Sequence, residues 1–111
     1  MTAFLVFCAC PDADTAERIA RDVVEARLAA CASLVPELRS VYRWQGEVET
    51  ADEVQLQIKT WSDRIDALTD RIRDLHPYEL PEVLAVEAGR GLAGYLDWIR
   101  DETRFPHEPA A

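Results

Sequence analysis

Basic residues are scarce in this 111-residue chain: 12 lysines and arginines stand against 21 aspartates and glutamates, a formal net charge of −9. A surface of that sign repels phosphate backbones, so a nucleic-acid partner is not expected. The acids are scattered and not gathered in a tail; they keep the protein soluble and attract cations weakly. Cysteine is also scarce, with three residues. The odd number argues against a disulfide framework and suits a reducing compartment. No C-x-x-C pair of the kind used by structural zinc sites is present. Nor is there a P-loop, a G-x-G-x-x-G, an H-E-x-x-H or a G-x-S-x-G. With no convincing pairing of nucleophile and base either, an enzyme is not expected. The longest apolar run, residues 3–10, has no basic segment before it and is too short to span a bilayer. The chain is therefore expected in the cytoplasm and away from membranes.

What is present is a globular composition, 49% hydrophobic and 30% charged. A chain of this length buries about two-thirds of the surface its unfolded form exposes, so it needs neither disulfide nor metal to fold. Without linker, low-complexity tract or repeat, residues 1–111 read as one domain, with a frayed tail over 104–111 that contains His107.

Residues 3–10 (AFLVFCAC) predict a strand apolar on both faces, with Phe4, Val6, Cys8 and Cys10 on one side and Ala3, Leu5, Phe7 and Ala9 on the other. Asp14 and Glu17 form a capping-box-like start to a helix over 14–28. Residues 30–44 read as extended, with Pro36 marking a bulge or an edge strand. Gln45-Gly46 is a two-residue turn, and the return strand alternates Val54, Leu56 and Ile58 with Gln55, Gln57 and Lys59. Both arms of this hairpin are longer than the usual strand and should protrude beyond a small sheet. Ser62 or Thr60 can cap a second helix, which must end before Pro77. A fourth strand over 82–88 and a short last helix from Leu92 to Ile99 complete the chain.

The order β-α-β-β-α-β is an α+β, ferredoxin-like (split βαβ) arrangement, two helices on one face of a four-stranded antiparallel sheet. The first strand is apolar on both faces and the fourth nearly so, which leaves a second face to be covered. A neighbouring subunit is the economical cover. The polar row Gln55, Gln57, Lys59 makes that face mixed.

Candidate chemistry is limited. Cys8 and Cys10 stand two apart, so both sulfurs can present to one soft metal such as Cu(I) or Zn(II), or pack as small core residues. Cys31 lies among alanines and reads as packing. His76 precedes Pro77; its ring can act as ligand or proton carrier, or cap the end of the second helix. The tryptophans and tyrosines can line a pocket, a core or a subunit contact. Glu47, Glu49, Asp52 and Glu53 can attract a hard cation or form a solvated face.

Six segments occur in one order: Cys8-Ala9-Cys10-Pro11-Asp12, Leu28-Ala29-Ala30-Cys31-Ala32, Val41-Tyr42-Arg43-Trp44-Gln45-Gly46, Lys59-Thr60, His76-Pro77-Tyr78-Glu79-Leu80-Pro81-Glu82 and Tyr95-Leu96-Asp97-Trp98-Ile99. Together they resemble the CutA divalent-cation tolerance family over roughly residues 3–100. The resemblance implies a homotrimer similar to the P-II signalling proteins, built by sheet edges and long hairpins, and a link to tolerance of copper and other divalent metals. It also implies metal ligands at Cys8 and at a histidine pair before the Pro-Tyr. Here that pair is reduced to His76, because Leu75 fills the preceding position. A regulatory module that holds a small molecule or partner protein between subunits is the alternative.

Overall fold

The computed structural model describes residues 1–105. Strand β1 (Ala3–Cys10) is interior to the sheet, paired antiparallel with β3 (Glu47–Trp61) on one side and with β4 (Leu84–Glu87) on the other. Strand β2 (Cys31–Trp44) completes the order β2-β3-β1-β4. Strand β4 is shorter than expected. Only four of its residues pair, Leu84–Glu87 with Phe4–Phe7, and Glu82 is left in the preceding loop.

Helix α1 spans Ala13–Glu25. Its cap is Asp12 and not Asp14: the Asp12 carboxylate accepts the Thr15 N–H at 2.8 Å, while Asp14 sits in the first turn. This satisfies one orphan donor and places a second negative charge at the positive helix end. The helix also stops earlier than 28. Arg27 takes a left-handed conformation (φ 57°), and the Arg27 and Leu28 N–H groups fold back onto the Val24 and Val23 carbonyls. That is the closing pattern usually given to glycine at this position.

β2 and β3 form the expected long hairpin, in register from Cys31↔Lys59 to Trp44↔Glu47. Gln45 (φ 49°) and Gly46 (φ 84°) both adopt positive φ, the turn whose twist matches the flanking strands. Pairing is irregular between Val35 and Leu38, where Pro36 cannot donate and Glu37 takes φ 62°. The hairpin draws the molecule out to 47 × 26 × 22 Å.

Helix α2 (Ile65–Leu75) follows a short 3-10 turn and has no side-chain cap. Both expected caps are engaged elsewhere: the buried Thr60 hydroxyl donates to the Leu28 carbonyl at 2.7 Å, and Ser62 Oγ accepts the Thr2 N–H at 2.8 Å. Helix α3 (Ala93–Glu102) runs past the expected Ile99. The frayed tail was expected from residue 104. Arg104 is instead buried, its guanidinium forked onto both oxygens of Asp63, and the rest of that tail from residue 106, with His107, lies outside the described residues.

The core decides between the two faces of β1. Val6, Cys8 and Cys10 meet α1 and α2, together with Leu56 and Ile58 of β3 and with Ile19, Val23, Leu68 and Ile72 of the helices. Fully burying each large aliphatic side chain contributes about 1.5–3 kcal/mol. Leu5, Phe7 and Ala9 point to the opposite face. Ile99 and Leu96 of α3 cover one end of that face, against Ala3, Ala30 and Trp61. Beyond α3, Leu5 and Phe7 lie between Val86 and Leu84 on one side and Lys59 and Gln57 on the other, the mixed face read from the alternation. Leu84 and Val86 remain 59% and 49% exposed. Among the described residues no helix is long and apolar enough to cross a membrane.

Candidate functional site

Strand alternation puts the Cys8 and Cys10 side chains on the helix side of β1, both fully buried. His76 arrives from the end of α2. Pro77 forces its backbone into extended geometry (φ −79°, ψ 137°), and its N–H still closes the helix on the Ile72 carbonyl at 2.9 Å. The ring turns inward, buried, toward β1. One ligand atom from each of Cys8, Cys10 and His76 lies within 4.8 Å of the others. They are the single such group of three among the described residues.

Hydrogen bonds define the state of the imidazole. The Tyr78 backbone N–H can only donate, and it lies 3.1 Å from Nδ1, so Nδ1 accepts. The proton of the neutral ring is therefore on Nε2, which donates to the Ala9 carbonyl at 2.8 Å. The Tyr78 ring packs beside it, centroids 4.7 Å apart. Both nitrogens are engaged, so ligation by His76 requires the ring to release one partner. The ring does not cap the last turn of α2, the role the sequence also allowed; it braces β1 and the loop after the helix, and only the backbone N–H closes α2.

The two thiols behave as a pair. Cys8 is held well above the ordinary thiol range by its hydrogen bond to Cys10, by burial and by the nearby negative charge of Cys10, Glu82 and Glu53. Cys10 is lowered because it receives the hydrogen bond from Cys8. Two sulfurs and one imidazole form the donor set of a soft cation and not of calcium or magnesium, which take oxygen. Ligation as thiolates would release the thiol protons, and Glu53 and Glu82 favour positive charge nearby.

A family model described as CutA1 divalent ion tolerance protein matches residues 4–102. The chain belongs to this CutA1 family. It is 47% identical over 97 residues to human Protein CutA, a match covering 87% of this chain and 54% of that one. It is 43% identical over 99 residues to the divalent-cation tolerance protein CutA of Thermus thermophilus, covering 89% and 96%. The chain thus spans about half the length of the human, mouse and bovine relatives and nearly all of the bacterial one. Among solved structures, CutA from Xylella fastidiosa superposes with a TM-score of 0.91 at 46% identity, covering 94% of this chain and 100% of that one. The CutA1 family name carries no enzymatic activity.

Within this CutA1 chain the sequence reading of Cys8 and His76 brought together two residues that do meet. The spacing of two along one strand offered Cys10 as a second sulfur or as a core residue, while the ligands implied by the resemblance were Cys8 and His76 alone; the structure sets Cys10 beside both. Leu75 is half-buried against the helix-side core, so its place is one of packing. Cys31 is not surrounded by alanines alone: Lys59 Nζ donates to its sulfur at 3.7 Å and the Tyr95 hydroxyl is 3.8 Å away. Cross-strand pairing of Cys31 with Lys59 puts the ammonium there. In the acidic hairpin run, Asp52 pairs with exposed Arg39 at 2.8 Å. Glu53 alone is buried, and accepts the Tyr78 hydroxyl at 2.7 Å. Burial and then Glu53 push the Tyr78 phenol above its ordinary range. No local pattern distinguished Glu53 from its acidic neighbours.

Proposed function

We propose that this chain is the ferredoxin-like subunit of a CutA homotrimer that contributes to divalent-cation tolerance by holding a soft cation, copper above all, at Cys8, Cys10 and His76. The observation that carries the reading is the convergence of two sulfurs and an imidazole within 4.8 Å in a member of a divalent ion tolerance family. The family name supplies the physiological setting and the donor set supplies the metal class. The role is binding and not catalysis. Three cysteines with no disulfide among them suit a reducing compartment such as the cytoplasm.

The trimer rests on the half-covered sheet face. Leu84, Val86 and the neighbouring Leu5 and Phe7 need a cover that α3 does not extend to, and a second copy supplies it most simply. The hairpin, with Val41 and Val48 exposed, provides edges for pairing between chains.

Calorimetric titration of the reduced protein with Cu(I) under anaerobic conditions tests the metal reading. Saturable binding at micromolar metal is expected, weakened by Cys8→Ser and by Cys10→Ser. A titration without saturation, or an affinity unchanged from wild type in both variants, removes the site. The second reading, a P-II-like module with a small-molecule ligand, is favoured by a cavity beside the outer half of the hairpin, lined by Ser40, Tyr42 and Trp44.

A further inference from the structure

A cavity of about 660 Å³ opens between the hairpin and the loop after α2. That volume is within the usual range for small-molecule sites, about 300–1,000 Å³. Its chemistry is one-sided. Tyr42, Trp44 and Tyr78 supply aromatic surface, Glu53, Glu79 and Glu82 supply carboxylates, and among the described residues no lysine or arginine lines it. An anionic ligand would meet like charge throughout.

Glu53 is the informative member. It is only 8% exposed, and the one group that donates to it is the Tyr78 hydroxyl, on Oε2. No basic side chain among the described residues pairs with it. Its carboxylate is not sealed off: no counter-charge from the described residues meets it, and it lines a cavity large enough to admit one. A hard metal ion does not fit the arrangement. It needs several oxygens converging at bond distance, whereas the single group of metal-ligating side chains that close among the described residues is Cys8, Cys10 and His76. Aromatic faces beside a carboxylate instead match a cation whose charge is spread over alkyl groups, attracted by the ring quadrupoles and by the carboxylate together.

We propose that this cavity binds a small organic ammonium ion, with its charge set against Glu53 and its alkyl body against Tyr42, Trp44 and Tyr78. Recognition works by charge and apolar contact at once: the carboxylate rejects anions, and the rings reject small hydrated cations that cannot shed their water. The site does not rest on the metal reading.

The test uses the whole 111-residue chain and choline as probe, followed by calorimetry, with the uncharged isostere 3,3-dimethylbutan-1-ol alongside. Choline should saturate with a dissociation constant on the order of 1 mM or below. The isostere should bind about tenfold or more weakly, the share carried by charge. Glu53→Gln should weaken choline by about tenfold, and Trp44→Leu, which keeps apolar bulk but removes the ring face, by about two- to thirty-fold. Thermal melts establish that each variant is folded; if Glu53→Gln is not, Trp44→Leu and the isostere decide. Cys8→Ser should leave choline binding unchanged, so loss of copper and loss of choline report separately. No saturation by choline, equal binding of the isostere, an unaffected folded Glu53→Gln, or magnesium binding in place of choline would each overturn the proposal.

Discussion

Replacing His76 with alanine should destabilise the protein whether or not metal is present. The ring is buried and makes two hydrogen bonds, Nε2–H to the Ala9 carbonyl at 2.8 Å and the Tyr78 N–H to Nδ1 at 3.1 Å. Each such bond contributes about 1 kcal/mol net, and a donor left buried without a partner costs about 1–3 kcal/mol. Removing the ring also forfeits its burial and contact with Tyr78, about 1 kcal/mol more. The two bonds and the lost burial sum to about 3 kcal/mol, a lower figure than if the Tyr78 N–H also stayed dry. In a domain of this size it corresponds to a fall of roughly 10–20 °C in melting temperature. The assay is urea unfolding of wild type, His76→Ala and His76→Asn, metal-free with chelator and at one protein concentration, since assembly would otherwise shift the midpoint. His76→Asn is the informative arm. Its side-chain oxygen can accept the N–H two residues on, as asparagine does in turns, and should restore about 1 kcal/mol. If metal-free His76→Ala unfolds within about 0.5 kcal/mol of wild type, the bracing role is wrong and a ligand role is all that is left for His76.

Three further outcomes are expected. Asp63 is held below the usual carboxylate range chiefly by its hydrogen bonds from Arg104. A depressed folded-state value contributes stability that is full above the unfolded value and fades as pH falls through the folded one, so denaturant midpoints measured from about pH 5 down to pH 2 should drop less steeply in Asp63→Asn than in wild type. Gln45 holds φ 49° in a turn whose first position favours asparagine; Gln45→Asn should raise stability by about 0.5 kcal/mol in the same assay, and a loss would contradict the turn assignment. Phe7→Asp sets a charge on the open sheet face beside Leu84; light scattering should find wild type as the proposed trimer and the variant dissociated, and a monomeric wild type or an unchanged mass from a folded variant would overturn that contact.

Most of the architecture was legible because it is written in local periodicities. A short continuous apolar run marked β1, alternation marked the return arm of the hairpin, Gly46 marked the turn, and Pro77 marked the end of α2. The misassigned helix caps share one cause: competition for hydrogen-bond partners. Asp12 reaches Thr15 before Asp14 is needed, and Thr60 donates to Leu28, distant in sequence, and not to the helix it precedes. Arg27 ends α1 in a conformation for which arginine carries no signal.

Residue order alone settled the sequence of elements, the two faces of β1, the mixed polar and apolar rows and the Cys8–Cys10 spacing, because each depends on a repeat of two or of 3.6 residues. Tertiary structure chose which face of β1 the helices cover, and with it that Cys8 and Cys10 are interior while Leu5 and Phe7 face outward. It also turned Glu53 inward to Tyr78 and joined Asp63 to Arg104, a pair 41 residues apart. A period says which side chains share a side. Only the packing of distant segments says what lies on that side, and both candidate sites are made of such encounters.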